Sequence, residues 1–169
     1  MKKKHILFRF LSLMLMLNST SGNAHDFWLE AKPYYTSPSK STDISVHVGA
    51  EFVGDSLPNI PGWYTDFSLY QTDTKKAIEG ELGRDPAGYF KPEKSGTYVI
   101  GYQSEFSYVE IDSDTFLKYL TDEGLDNAIA SRQRDKLSDT VGNENYVRHA
   151  KLLVQAGEGF EVDNSMLRL

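Results

Sequence analysis

Apolar and polar residues alternate in short runs along this chain, and proline and glycine cut most runs before they reach helical length. Thr42–Val48 shows the pattern most clearly. Ile44, Val46 and Val48 fall on one side, Ser45 and His47 on the other. A period of two sends successive side chains to opposite faces of a strand, so such a run buries one face and wets the other. Phe27–Ala31 alternates in the same way, and Asp66–Thr72 repeats the pattern with Phe67, Leu69 and Gln71. Thr97–Gln103 and Tyr108–Ile111 are rich in β-branched and aromatic residues. Pro58, Pro61-Gly62, Asp85-Pro86, Gly88 and Ser95-Gly96 mark the turns. The chain is therefore expected to be mainly β, an antiparallel β-sandwich of immunoglobulin-like type.

One stretch follows a different period. Ser113 or Asp114 is placed to cap a helix carrying Phe116, Leu117 and Leu120, which Gly124 ends. Leu125, Ala128 and Ile129 begin a second helix running toward Leu137. The two predict a helical hairpin, an insertion over about 113–138, laid across the sandwich. Tyr146–Gln155 is amphipathic in neither period and is read as a strand buried on both faces at one end. Residues 49–64, with Phe52, Trp63 and Tyr64 among glycines and prolines, read as a long irregular loop of the kind that binds ligands.

The front of the chain has the three parts of a secretory signal. Lys2, Lys3 and Lys4 supply positive charge, Ile6–Leu17 is apolar apart from Arg9, and Asn18–Ala24 ends in small residues. The apolar run is shorter than the roughly 20 residues that span a bilayer. Export with cleavage after Ala24 is expected, giving a periplasmic or secreted domain of residues 25–169. No cysteine is present to carry a lipid anchor, and no later segment is apolar enough for a membrane span. Loss of Met1–Ala24 removes four of the 18 basic residues and none of the 24 acids, leaving 14 against 24, a net charge of −10. Such a charge disfavours nucleic acid and draws cations toward the surface.

Cleavage there makes His25 the first residue. A free α-amine has a pKa of about 7.7–8 and an imidazole about 6.5, so both give up a proton to a metal near neutral pH. Amine and Nδ1 of one residue chelate a single ion, and a third nitrogen completes a set suited to Cu, Ni or Co. Only His47 and His149 remain to supply it, with Asp26 as a weak oxygen ligand or an orienting group. No Ser in G-x-S-x-G, no phosphate-binding glycine loop and no H-E-x-x-H motif is present.

Several segments together carry a family resemblance. His25-Asp-Phe-Trp-Leu-Glu-Ala, Val48-Gly-Ala-Glu-Phe-Val-Gly, Gly83-Arg-Asp-Pro-Ala-Gly-Tyr-Phe-Lys-Pro and Gly96-Thr-Tyr-Val-Ile-Gly-Tyr-Gln-Ser occur in that order. Phe116-Leu-Lys-Tyr-Leu-Thr-Asp-Glu-Gly-Leu-Asp and Glu144-Asn-Tyr-Val-Arg-His-Ala-Lys-Leu-Leu-Val follow. They resemble a family of periplasmic proteins of unknown function, formerly labelled the NikM-like substrate-specific region of nickel uptake. The resemblance implies an exported β-sandwich that handles nickel or cobalt beside a membrane metal transporter, with the N-terminal histidine, here His25, as a ligand. Family members run on past the stretch matched by Met166-Leu-Arg-Leu, so the sandwich is expected to be incomplete at its C-terminus. Two other functions fit the same residues: a copper-dependent histidine-brace oxidase or monooxygenase using Trp28, Trp63 and Tyr64 as a substrate face, and a non-catalytic module for protein or carbohydrate.

Intact mass of the exported protein tests the starting point. The expected mature chain opens His-Asp-Phe-Trp with a free amine, and a different first residue removes the chelate.

Overall fold

The computed structural model describes residues 26–71 and 74–158. The expected signal peptide, His25 and the stretch around Met166 lie outside the described residues. The described chain is mainly β, with sheets facing one another across a single core, as in a β-sandwich.

The first sheet is built on β3 (Thr42–Ala50). On one side β3 pairs antiparallel with β1 (Asp26–Lys32), with Trp28 opposite His47 and Leu29 opposite Val46. On the other side it pairs with β4 (Val53–Leu57) along its second half and with β7 (Gly88–Phe90) along its first half. The second sheet runs β2 (Tyr35–Thr36), β11 (His149–Ala156), β8 (Gly96–Ser104), β5 (Tyr64–Gln71), β6 (Thr74–Ala77). All its pairings are antiparallel except that of β2 with β11, which is parallel. The chain thus leaves the first sheet at the end of β1 and enters the second a few residues later.

The core takes one face of each sheet. Leu29, Ala31, Ile44, Val46 and Phe90 come from the first, and Phe67, Tyr98, Ile100, Tyr102, Leu152, Val154 and Ala156 from the second. Ile44, Ile100 and Val154 are wholly buried, each contributing about 1.5–3 kcal/mol by leaving water. Aromatic rings fill one end, where Tyr102 touches Phe27, Tyr64 and Phe67 at centroid distances of 5.3, 5.5 and 5.4 Å. At the start of β8 the Tyr98 hydroxyl donates back to the Lys94 carbonyl at 2.9 Å and accepts from the Lys94 amide at 3.2 Å. This bond fastens the corner between β7 and β8.

Four sequence readings are corrected here. Residues 49–64 are not an irregular loop: they contain β4 and a 3-10 turn, Pro61–Trp63. Tyr146–Gln155 is broken at Val147-Arg148 into β10 (Gly142–Tyr146) and β11. β11 buries only one face, because Ala150, Leu152 and Val154 turn inward while Lys151 and Leu153 are exposed. The exposed Leu153 obscured that alternation. The helices, α1 (Ser113–Asp122) and α2 (Asp126–Arg134), do not lie across the sandwich. They sit between β9 (Ser107–Ile111) and β10, which pair as a separate ribbon. Phe116 packs so closely on Gly142 that a Cβ there would overlap its ring, and Arg132 lies 4.9 Å over the same ring. The cap of α1 is Asp112, which accepts from the Thr115 amide at 3.0 Å, one residue before Ser113 and two before Asp114, the expected caps.

Gly49 and Gly54 face each other where β3 and β4 approach most closely. A Cβ on Gly49 would overlap the Val53 carbonyl oxygen and the Gly54 Cα, both backbone atoms that cannot rotate away. Gly49→Ala is expected to cost about 1–3 kcal/mol by urea unfolding, as overpacking does, whereas Gly62→Ala, which meets open space, leaves the midpoint nearly unchanged.

Candidate functional site

Because directly opposed residues share a face, the register of β1 and β3 puts Asp26, Trp28, Glu30 and Lys32 beside Gly49, His47, Ser45 and Asp43 on the outer face of the first sheet. Trp28 and His47 form a cross-strand stack with centroids 5.1 Å apart and planes 12° apart. Glu30 Oε2 lies 3.2 Å from His47 Nε2. That separation is an ion-pair distance, but hydrogen-bond geometry is not met, and the buried Nε2 has no hydrogen-bond partner among the described residues. An uncompensated nitrogen in a dry position costs stability and normally carries an explanation.

Asp26 is engaged. Its Oδ2 accepts from the Phe52 amide at 2.9 Å. Glu51 and Phe52 form the two-residue turn between β3 and β4, with φ of 54° and 57°. Such turns favour Asn-Gly because L side chains resist the left-handed region. Here the Asp26 carboxylate holds the turn, and the Phe52 ring meets Trp28 edge-on at 5.6 Å.

His149 stands elsewhere. It opens β11, opposite Gln103, on the outer face of the second sheet. The core lies between the sheets, so His47 and His149 are on opposite sides of the domain and the structure does not bring them together. Among the described residues no three His, Asp or Glu side chains gather as a metal-holding group. Of the three aromatics read as a substrate face, Tyr64 packs on the core and donates to Asn59 Oδ1 at 3.0 Å, Trp63 is half-exposed, and Trp28 covers His47.

His149 borders a cleft of about 430 Å³ lined also by Asp66, Tyr70, Gly101, Gln103 and Lys151. Asp66 accepts from Ser68 at 2.5 Å, from Lys75 Nζ at 2.9 Å and from the Tyr70 hydroxyl. Burial pushes the Asp66 carboxyl up, but the Lys75, Ser68 and Tyr70 bonds outweigh it and hold the group below its ordinary value. The Tyr70 phenol is pushed up, by burial first and then by Asp66. On the core side, burial and then the neighbouring Tyr64 raise Tyr102 to about 12.

Sequence reasoning missed Glu30 as a neighbour of His47, although its position four residues after Asp26 put it on the same strand face. The Asp66–Tyr70–Lys75 group was not legible, because Lys75 arrives from a strand whose exposed residues gave no alternation.

No protein-family model, curated protein or solved structure matches the chain.

The lowered Asp66 pKa sets a sign. Its contribution is fully present above the ordinary carboxylate value of 3.8 and is lost as pH falls through the lower folded value. Asp66→Asn is therefore expected to be less stable than the parent at pH 7, with the difference in urea midpoint closing as pH drops below about 4.

Proposed function

We propose that the chain is an exported, immunoglobulin-like metal-binding accessory domain that takes up a nickel, cobalt or copper ion and passes it to a membrane transporter. Three features of the strands support the immunoglobulin-like architecture. β1 and β2 divide one N-terminal stretch between the two sheets, β2 runs parallel to the last described strand, and the Tyr98 hydroxyl ties its own strand to the preceding corner.

The observation that carries the metal reading is the His47 Nε2, buried and without a hydrogen-bond partner among the described residues, on the strand paired with β1. Asp26, the first residue of β1, pairs with Gly49, two residues along β3 from His47. His25 precedes Asp26 in the chain. In the proposed site the freed amine and Nδ1 of His25 form the chelate and His47 supplies the third nitrogen. His47 takes this role rather than His149, because His149 belongs to the opposite outer face. Glu30, beside the ring, adds negative charge and an oxygen donor. Asp26, Glu30 and Asp43 outnumber Lys32, which lies 3.2 Å from Glu30 Oε2, and the excess of acid on this face favours a cation. Binding and release need no catalytic group.

The Trp28–His47 stack offers a direct readout. In a Trp63→Phe background Trp28 is the sole tryptophan of the chain. Copper(II) or nickel(II) added to the mature protein is expected to quench its fluorescence at about one equivalent, reversibly with a chelator. Quenching should be lost in His47→Ala and in a protein with one residue added before His25, and kept in His149→Ala. Undiminished quenching in the extended protein defeats the proposal.

A further inference from the structure

The inner face of the second sheet carries polar residues at one margin. Phe67 and Leu69 of β5 pack on the core, and the period of two puts Gln71 on the same face. Lys76 of β6 pairs with Leu69, and Thr74 with Gln71. Directly opposed residues share a face, so β6 brings a lysine to the core side of its sheet. Lys76 is nevertheless exposed, which leaves this margin of the inner face uncovered. Lys75, one residue earlier, belongs to the outer face, where it is paired with Asp66.

Across from Lys76 stands the corner between β7 and β8, with Lys91, Glu93 and Lys94. Between them lies a cleft of about 370 Å³, floored by Leu69 and Tyr98, a size that suits a small molecule. Both walls are fixed. On one, the Thr74 hydroxyl donates to the Gln71 carbonyl at 2.9 Å. On the other, the Tyr98 hydroxyl bonds both the amide and the carbonyl of Lys94. Pro92 is fully buried, and its carbonyl accepts from the Ser39 amide at 2.8 Å.

The charge of this cleft is uncompensated. Among the described residues Lys76, Lys91, Lys94 and Glu93 form no ion pair. Three ammonium groups against one carboxylate leave an excess of two positive charges, on a chain whose net charge is −6. Like charges gathered around one hollow repel each other, and an anion between them relieves that repulsion. The type of cation narrows the choice. Planar, bidentate capture of a carboxylate is the work of arginine, and no arginine lines the cleft. Lysine is a point charge with three rotatable donors, which suits a tetrahedral phosphate approached from several sides. A phosphate monoester carries about two negative charges near neutral pH, which matches the excess.

We propose that this cleft binds a small phosphate monoester, with its dianionic phosphate held among Lys76, Lys91 and Lys94 and its organic group laid on Leu69. The site uses no histidine and lies at the open margin of the second sheet, so it stands apart from the metal reading.

Amide chemical shifts of the mature protein, titrated at constant ionic strength with phenyl phosphate, inorganic phosphate and dimethyl phosphate, test it. Phenyl phosphate is expected to give saturable shifts centred on Gln71, Lys76 and Lys94. Inorganic phosphate, which lacks the organic group, should bind more weakly at the same residues, and the singly charged diester should give no saturation. Lys76→Gln, Lys91→Gln and Lys94→Gln should each weaken phenyl phosphate roughly threefold, the worth of one exposed charge pair. Lys136→Gln removes the same charge from the stretch after α2 and should change nothing. Glu93→Gln removes the one acid and should tighten binding, a gain that damage to the fold does not produce. Absence of saturation, equal binding of the diester or of inorganic phosphate, an equal loss in Lys136→Gln, or no gain in Glu93→Gln overturns the assignment.

Discussion

Everything described for the surface depends on burying Ile44, Val46, Ile100 and Val154 between the sheets. Side chains alternate with a period of two, so the core fixes which residues of every strand face water. A slip of one residue in the β1–β3 pairing would turn Trp28 and Glu30 away from His47, and would also drive Asp26 and Glu30 toward the core. The same holds for β11, where inward Leu152 and Val154 set His149 and Lys151 outward. The outer polar faces are therefore by-products of core register, and their precision comes from packing rather than from contacts among the polar groups themselves.

That dependence explains what could be read in advance. Ile44, Val46 and Val48 announce β3, and Phe67 with Leu69 announces β5, because each strand shows one apolar and one polar face. Strands β4, β6 and β10 were illegible for the converse reason. Their residues are largely exposed and polar, and it is pairing with a neighbouring strand, β3, β5 or β9, that makes them strands. Gly54 in particular reads as a loop residue, yet it is in a strand because β3 passes too close for any side chain. The long-range partners were beyond reach for a different reason. Lys75 meets Asp66, and Glu30 meets His47, only through hydrogen-bonded neighbours that a single sequence does not name.

The two histidines show how topology divides chemistry that a sequence leaves pooled. Read along the chain, His47 and His149 are equivalent candidates for one nitrogen set. In the fold one shares a face with Asp26, Glu30, Lys32 and Asp43, under an indole, and the other borders a cleft with Asp66, Tyr70, Gln103 and Lys151. The core between the sheets thus keeps the two rings apart, so they do not belong to one nitrogen set.

Asp26 illustrates why proximity to a candidate site is weaker evidence than bonding. As an oxygen beside the start of the mature chain it looks like a ligand. Its carboxylate instead receives the Phe52 amide at the point where Glu51 and Phe52 hold a conformation that costs roughly 1–2 kcal/mol for each L-residue. A hydrogen bond to a charged acceptor contributes about 1.5–3 kcal/mol, comparable to that strain. A metal that drew Asp26 into its own coordination would release the turn along with Phe52, which packs on Trp28 over His47. The arrangement therefore favours Asp26 as the lock of the turn and a source of field, and in the proposed site direct ligation falls to His47 Nε2, which neither accepts nor donates a hydrogen bond among the described residues.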